Sequence, residues 1–511
     1  MHHRSLTART RFGVVAAAAA ALAATLATGT GAAASPSDST LVVGMTSEPD
    51  TLFPWKATQF QAVNVLGLVY GTLTELDQDL NVVPGLAESW EVSEDGLTFT
   101  LSLRAGVTYA DGSTFGSEDV VSSLEQIQLE ETAAVAAASL ASVTAIEAPD
   151  ESTVVLTLSA PDAALATNLA SVNLAMLSSE DTEEALNTAP NGTGPFNFDS
   201  REASQSLTIV RNDAYWGDAP MLGGVEFRVI PDETSIVSAL DSGNVHFAVL
   251  DDPIVAETVG ANVTVAETPQ LSYHVLQLNA RKGALTDVNV RLAMQCAIDR
   301  QQVLDTAAFG EGEVTGPITS PAYRSDPSAR PCPERDLDKA AEYLEAAGMA
   351  DGVTVQAIVS QGEYATSVAE AENVQAQLAE ANITLELEVL EIGTFVDRWV
   401  AADFEAAIAL NGGRPDPDSM YGRYFTSTGN LNEVAGYSSD TLDELFAAGK
   451  ASTDPDERAG IYEQISAELE NNAAWIWLFT SYTYTATTAD VTGFIPMANG
   501  SLQYLRVTSL G

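Results

Sequence analysis

Residues 411–418 combine side chains that can bind a charged small molecule. Arg414 stands beside Gly413 and is followed by the carboxylates of Asp416 and Asp418. A guanidinium group pairs in a bidentate way with a carboxylate or a phosphate, so Arg414 could hold an anionic ligand. It could also pair with Asp416 or Asp418 and only stabilise its own loop. The residue types alone leave both roles open.

The usual catalytic motifs are missing from the sequence. There is no phosphate-binding G-x-x-x-x-G-K-[ST] loop, no H-E-x-x-H and no G-x-S-x-G. Beyond residue 34 the histidines are His246 and His274, too few for a multi-histidine metal site. We therefore predict no cofactor and no metal. A glycosidase dyad is defined by a distance in space, so a secreted hydrolase stays open among 71 Asp and Glu residues.

Length and charge restrict the class of protein further. A chain of 511 residues is too long for one hydrophobic core, which predicts two or three lobes. Hydrophobic residues make up 46%, enough for globular folding. The 22 Lys and Arg against 71 Asp and Glu give a net charge of −49, which argues against nucleic acid as a partner. The acidity indicates a solvated, soluble surface, as in a salt-tolerant host. Selection for binding a cationic ligand is the less favoured interpretation.

The first 34 residues have the features of an export signal. Three arginines at positions 4, 9 and 11 precede a run of small and apolar residues at 14–27. Three alanines ending at Ala34 form a cleavage site, which makes Ser35 the expected first residue of the mature chain. The run is short for a membrane anchor, and no cysteine lies near the cleavage site. We expect an extracytoplasmic protein without a lipid anchor.

Export places the two cysteines of the chain in an oxidising compartment. Cys296 lies in a stretch with helical periodicity, and Cys332 lies between two prolines. The spacing excludes a C-x-x-C redox site. One disulfide is the simpler interpretation, and two free thiols are the alternative.

Periodicity predicts how the chain is organised around residues 411–418. Apolar residues alternate along several short runs, which is the pattern of half-buried strands. Between 285 and 480 such runs alternate with helical patterns, which indicates an α/β lobe. Asp454 and Pro455 are typical of a helix start. The predicted strands are 41–45, 97–104, 353–359, 383–389 and 406–410, and the predicted helices include 371–378, 395–401 and one that begins at 455.

Five blocks of residues occur in a fixed order along nearly the whole mature chain. They are 47–54 with 69–73; 84–104 with 111–112 and 117–120; 192–196 with 211–212 and 215–216; 287–291 with 297–300; and 415–418 with 432 and 436–438. Together these blocks resemble the family-5 extracellular solute-binding proteins, the peptide- and nickel-binding class that serves ABC importers.

The resemblance implies an α/β fold, a two-lobed periplasmic-binding-protein-like clamp of type II with a two-strand hinge. It also implies an extra subdomain in the first lobe, and hinge strands near 273–278 and 479–484. The expected divisions are a signal peptide at 1–34, the first lobe at 35–80, 191–272 and 481–511, its extra subdomain at 81–190, and the second lobe at 273–480.

The function implied is the extracytoplasmic substrate-binding component of an ABC-type importer. It would capture a small peptide, or a peptide-like or anionic solute, by lobe closure and deliver it to membrane permease subunits. We expect a monomer that binds no nucleic acid. A secreted hydrolase and a binding module for sensing or for holding exported chains are the alternatives.

The resemblance also implies which residues contact the ligand. In family members of this class the loop after the strand at 406–410 faces the cleft. In peptide-binding members an Asp there holds the α-amino group of the peptide; Gly413 occupies that position here, and Arg414 follows it. This departure favours a ligand with an anionic group, and the absence of histidine from the loop disfavours nickel. The candidate ligand-binding residues are Arg414, Asn411, Gly413, Asp416 and Asp418, with Glu48, Thr51 and Thr193 as weaker candidates.

Overall fold

Strands and helices alternate through residues 36–361 and 366–511, the part of the chain that this computed structural model describes. The predicted signal peptide, residues 1–34, lies outside the described residues. The strands are β1 (Thr40–Met45), β2 (Thr74–Leu76), β3 (Val82–Pro84), β4 (Ala87–Val92), β5 (Thr98–Leu103), β6 (Val143–Asp150), β7 (Thr153–Leu158), β8 (Phe196–Glu202), β9 (Ser206–Arg211), β10 (Gly224–Val229), β11 (Phe247–Leu250), β12 (Val263–Pro269), β13 (Tyr273–Leu278), β14 (Gly312–Val314), β15 (Val353–Gln361), β16 (Ile383–Glu391), β17 (Ala406–Asn411), β18 (Trp475–Thr488), β19 (Val491–Thr492) and β20 (Ser509–Leu510).

Helices cover the faces of the sheets, and none within the described ranges is long and apolar enough to cross a membrane. They are α1 (Phe60–Val69), α2 (Ser117–Gln128), α3 (Leu165–Asn168), α4 (Glu183–Leu186), α5 (Glu233–Asp241), α6 (Pro253–Ala256), α7 (Val288–Ala297), α8 (Arg300–Ala307), α9 (Leu337–Ala346), α10 (Ser367–Glu380), α11 (Ile392–Val400), α12 (Arg423–Phe425), α13 (Asn432–Ala435), α14 (Asp440–Ala451) and α15 (Pro455–Asn471).

The local sequence signals act as predicted at several element boundaries. The carboxylate of Asp454 accepts hydrogen bonds from the first backbone N–H groups of α15, and Pro455 opens the helix. Asn382 ends the turn after α10 with a φ of 62°, a left-handed conformation that asparagine tolerates. The strands predicted at 353–359 and 383–389 are confirmed as parts of β15 and β16, which pair in parallel.

One large sheet runs through both lobes, in the order β16-β15-β17-β13-β18-β11-β1-β10-β9-β8. The long strand β18 joins its two halves. Its first residues pair with β13, and its last residues pair with β11 and with β12. We call the half that contains β13 to β17 the second lobe, and the half that contains β1 and β8 to β12 the first lobe.

Two chain segments connect the lobes. The first is residues 270–272, between β12 and β13, and it lies just before the segment expected from the sequence. The second lies within β18, where pairing changes from β13 to β12 near 480–482. Thr480 ties the two together, because its hydroxyl donates to the backbone oxygens of Gln270 and Ser272 at 2.6 and 2.7 Å. These segments are two extended strands side by side, the arrangement of a hinge.

The two lobes have separate buried cores. Strands β4 to β7 form a separate four-stranded sheet whose side chains share the core of the first lobe. In the second lobe the side chains of β13 alternate between two cores, one on each face of the sheet. Cys296 and Cys332 lie in one of these cores and are joined by a disulfide, with their Cα atoms 5.0 Å apart.

Candidate functional site

A cleft of about 670 Å³ lies between the two lobes. The first lobe contributes one side of α1, residues 70–76, 135–139, 167–173 and 498–503, and the second lobe contributes 412–416. The hinge segment 270–272 also lines the cleft. This volume fits a small molecule or a short peptide.

Strand pairing brings residues 412–416 to the cleft. Strand β17 runs antiparallel to β13, so its last residue, Asn411, lies opposite Tyr273, the first residue of β13. The buried amide of Asn411 donates to the hydroxyl of Tyr273 at 3.3 Å. Because β13 starts directly after the hinge, the loop that follows Asn411 must leave the sheet at the hinge end of the cleft.

Gly413 is fixed by a close approach of two backbones. A Cβ atom at this position would lie 1.9 Å from the backbone oxygen of Leu271 in the hinge segment. No side chain can stand there without moving the loop or the hinge. The neighbouring Gly412 has open space around its Cα atom. Gly413 therefore contributes to the site through backbone position only, and the carboxylate expected in peptide-binding members has no room here.

Arg414 is exposed and lines the cleft. It makes no hydrogen bond and no ion pair with any residue of 36–361 or 366–511. Partial desolvation lowers the pKa of Arg414, and the positive charge of nearby Arg423 lowers it further. Because the guanidinium keeps its charge at neutral pH, its bidentate donor face is available to an anion.

Asp416 lines the cleft but its carboxylate is directed into the second lobe. Its side chain is 1% exposed, and Oδ2 accepts a hydrogen bond from Nη2 of Arg458 at 2.7 Å. Its other oxygen accepts from the backbone N–H of Asp418 at 2.9 Å. Asp416 thus fixes the loop to α15, and it is not a partner of Arg414.

Asp418 lies behind the cleft wall, at the start of a π-helical turn, Asp418–Gly422. Its carboxylate is 3.5 Å from the ammonium group of Lys450 on α14. Burial raises the pKa of Asp418 to about 7, although Lys450 acts in the opposite direction. Asp418 belongs to the support of the loop.

The three weaker candidates lie away from the open cleft. Glu48 forms an ion pair with Arg201 at 2.7 Å, and the hydroxyl of Thr51 donates to Asn187 at 2.7 Å. Thr193 is fully buried, and the residue that follows it reaches the cleft. The fold brings together Gly413, Arg414 and Asp416 at the cleft, with Asn411 directly beneath them.

The first-lobe wall contains residues that the sequence patterns did not single out as ligand contacts. Glu75 and Arg506 meet there at 2.7 Å, and Phe60 leaves 44% of its surface exposed. Tyr70 and Gly71 also line the cleft. They belong to the block 69–73 that carried the family resemblance, and that block could have identified them from the sequence. Arg506 follows Glu75 by more than 400 residues, so no local pattern could have joined the two.

Within residues 36–361 and 366–511 there is no group of three or more histidine, cysteine, aspartate or glutamate side chains placed to hold a metal ion. The cleft instead offers hydrogen-bonding groups, an open cation and exposed apolar surface between two lobes joined by a hinge. That arrangement can enclose a solute and exclude water from its contacts.

Comparison with known proteins decides the family. Residues 81–432 match the bacterial extracellular solute-binding proteins, family 5 Middle. The chain belongs to this family. It is similar to the glutathione-binding protein GsiB of Salmonella typhimurium strain LT2, with 26% identity over 483 residues, 89% of this chain and 91% of that protein.

Solved structures of this family have the same two-lobed clamp. HbpA2 from Haemophilus parasuis is 25% identical with a TM-score of 0.84, and the alignment covers 92% of this chain and all of that one. The binding protein AgaA of A. tumefaciens R10, in complex with agropinic acid, is 26% identical with a TM-score of 0.70, covering 92% and 99% of the two chains.

The family-5 protein described here is a substrate-binding component of an ABC importer. Members of its family act outside the cytoplasm, which agrees with the export signal predicted from the sequence at 1–34. They are transport proteins rather than a class of enzymes.

Proposed function

We propose that this family-5 protein captures a small peptide or peptide-like solute with an anionic group, and that Arg414 binds that group in the cleft. The observation that carries the proposal is the position of Arg414, which faces the cleft without a hydrogen-bond or ion-pair partner among the described residues. In a chain with 71 acidic residues, a cation without a carboxylate partner is unexpected. An anionic ligand would supply the missing partner.

The loop geometry supports the same interpretation. The two carboxylates that could have neutralised Arg414 locally are directed to Arg458 and Lys450 instead. The guanidinium is therefore not needed to hold its own loop. Closing the lobes would remove water around Arg414 and strengthen a charge-assisted hydrogen bond to the ligand.

The opposite wall of the cleft suggests the rest of the ligand. Phe60 and Val135 of the first lobe are 44% and 49% exposed and both line the cleft. An apolar portion of the solute would cover them on closure and gain hydrophobic free energy. The named ligands of two relatives, glutathione and agropinic acid, define the first compounds to test, together with short peptides.

Calorimetry on wild type and two variants tests the role of Arg414. We expect Arg414→Ala to weaken binding of the best compound by about 30- to 1000-fold, because a buried charge-assisted bond contributes roughly 2–4 kcal/mol. Arg414→Lys should restore little, since an ammonium group cannot reproduce the bidentate fork. The empty Arg414→Ala protein should keep its Tm within a few degrees.

Arg324→Ala is the matched control, because it removes one positive charge from an ion pair with Glu313 outside the cleft. It should leave the affinity unchanged. Unchanged affinity in Arg414→Ala would remove this residue from the site. A large loss of Tm in empty Arg414→Ala would instead show that the residue braces its loop.

We further propose a soluble, monomeric protein without a lipid anchor and without catalytic activity. The mature chain should begin at Ser35, and intact-mass measurement of secreted protein checks this directly. A start before residue 27, or the added mass of a lipid, would contradict it.

A further inference from the structure

Five charged residues line the cleft between the lobes, and two of them keep their charged groups open. Glu75 pairs with Arg506 at 2.7 Å, and the carboxylate of Asp416 is bound to a guanidinium inside the second lobe. The remaining two are Arg414 and Asp251. Neither side chain forms a hydrogen bond or an ion pair within the described part of the chain, so the two are not paired with each other either. The cleft therefore presents one open cation and one open anion.

Strand register places the side chain of Asp251 on the face of the sheet that lines the cleft. Asp251 directly follows β11, whose last residue, Leu250, pairs with Tyr484 of β18. These two side chains pack into one core of the first lobe, and alternation along the strand puts Asp251 on the opposite face. Continuing the antiparallel register brings Asp251 beside Thr483, another residue of the cleft.

The backbone of Asp251 is fixed, whereas its carboxylate is not used. The N–H groups of Asp251 and Asp252 donate to the two carboxylate oxygens of Glu233 at 3.0 and 3.1 Å. The side chain of Asp251 is exposed. Partial desolvation raises the pKa of Asp251, and the negative charge of Glu233 raises it further. A positive charge placed against this carboxylate would offset both effects.

Asp251 and Arg414 stand on different lobes with the hinge between them. Strand β11 lies on one side of β18, and β12, which continues through 270–272 into β13, lies on the other side. The loop of Arg414 packs against that same hinge segment through Gly413. A solute that contacts both open charges must therefore reach from the first lobe to the second.

We propose that Asp251 binds a cationic group of the solute, so that the cleft selects a zwitterion with its positive end on the first lobe and its negative end on the second. This inference rests on the proposed function of Arg414. A primary amine suits the site, because an ammonium group donates a charge-assisted hydrogen bond to a carboxylate. The amine would thus be held from the lobe opposite to Gly413, where a carboxylate has no room.

Three forms of one short peptide separate the two charges. Trialanine carries both charges, acetyl-trialanine lacks the positive one, and trialanine amide lacks the negative one. Glutathione and its N-acetyl derivative form a second set. Tm shifts at equal ionic strength report the affinities by mass action. Wild type should bind at least one zwitterion about 10- to 100-fold more tightly than its acetylated form, the factor expected for one charge-assisted bond.

Asp251→Asn tests the residue itself, because it keeps the shape of the side chain and removes its charge. It should weaken binding of that zwitterion about 10- to 100-fold and leave the acetylated form unaffected. Asp218→Asn removes an exposed carboxylate outside the cleft and should change neither affinity. Empty Asp251→Asn should keep or raise its Tm. A fall of several degrees that Asp218→Asn does not show would assign Asp251 to the structure alone and overturn the inference.

The outcomes distinguish this inference from the proposed function. Asp251 does not bind a cationic group if acetylation weakens binding in neither peptide set, a result that includes no binding at all, or if Asp251→Asn still prefers the free amine. Asp251→Glu, which keeps the charge, should keep that preference. If amidation costs no affinity and Arg414→Ala leaves every affinity unchanged, the proposed function itself fails.

Discussion

The carboxylate of Asp416 faces away from Arg414 and binds Arg458, at 2.7 Å from Nη2. Arg458 is itself fully engaged, because it also donates to the hydroxyls of Tyr462 and Tyr323 and to the backbone oxygen of Gly449. The carboxylate of Asp416 is therefore already paired with another arginine in the interior of the second lobe. This relationship leaves the guanidinium of Arg414 open to the cleft.

Removing the charge of Asp416 should destabilise the second lobe. Asp416→Asn leaves Arg458 buried without a counter-ion, which we expect to lower the free energy of unfolding by about 3 kcal/mol. Glu313→Gln, in the exposed pair with Arg324, should cost less than about 1 kcal/mol. Urea denaturation of both variants measures the difference, and equal losses would show that the buried pair does not brace the loop.

The two glycines of the loop should respond differently to substitution. Gly413→Ala places a Cβ atom against the backbone oxygen of Leu271, so the loop or the hinge must shift, at a cost of about 1–3 kcal/mol. Gly412→Ala meets nothing within 4 Å and should resemble wild type. Thermal melting and ligand affinity of both variants test the prediction. A Gly413→Ala protein as stable as Gly412→Ala would contradict it.

Asp418 should make the protein less stable as the pH rises. Its pKa is raised to about 7 in the folded state, against about 4 in the unfolded chain, so the folded state binds the proton more tightly. The stabilisation that comes from this tighter proton binding is complete below about pH 4, and it is lost as the pH rises through 7. Asp418→Asn should therefore gain about 1–2 kcal/mol over wild type at pH 8 and much less at pH 5.

The control for that experiment is Asp218→Asn, which removes an exposed carboxylate. Its stability should follow the pH profile of wild type. If Asp418→Asn were no more stable than wild type at pH 8, the carboxylate would have to be stabilised by Lys450 more strongly than burial disfavours it.

The disulfide should contribute measurably to stability. Cys296 and Cys332 are 36 residues apart in sequence, and closing a loop of that length contributes about 3–4 kcal/mol in the chain-entropy model. Non-reducing peptide mapping of the secreted protein should recover the linked pair, and reduction should lower the Tm. Two thiols that react with an alkylating agent in the native protein would rule the bridge out.

Short-range patterns in the sequence determined where the strands and helices around the site lie. A short run of apolar residues indicated the strand before residue 411, and Asp454 with Pro455 indicated the start of α15. The ordered blocks of residues indicated the family through residue types and their order alone. The sequence therefore located the loop that carries Arg414.

Tertiary structure decided how the charges of that loop are paired. Asp416 is two residues from Arg414 and 42 from Arg458, yet it binds Arg458, because the packing of α15 brings that guanidinium into the core. Glu48 likewise forms its ion pair with a residue far away in the sequence, Arg201. Which acid pairs with which base depends on contacts between residues far apart in the chain, and only the folded arrangement of strands and helices fixes those contacts.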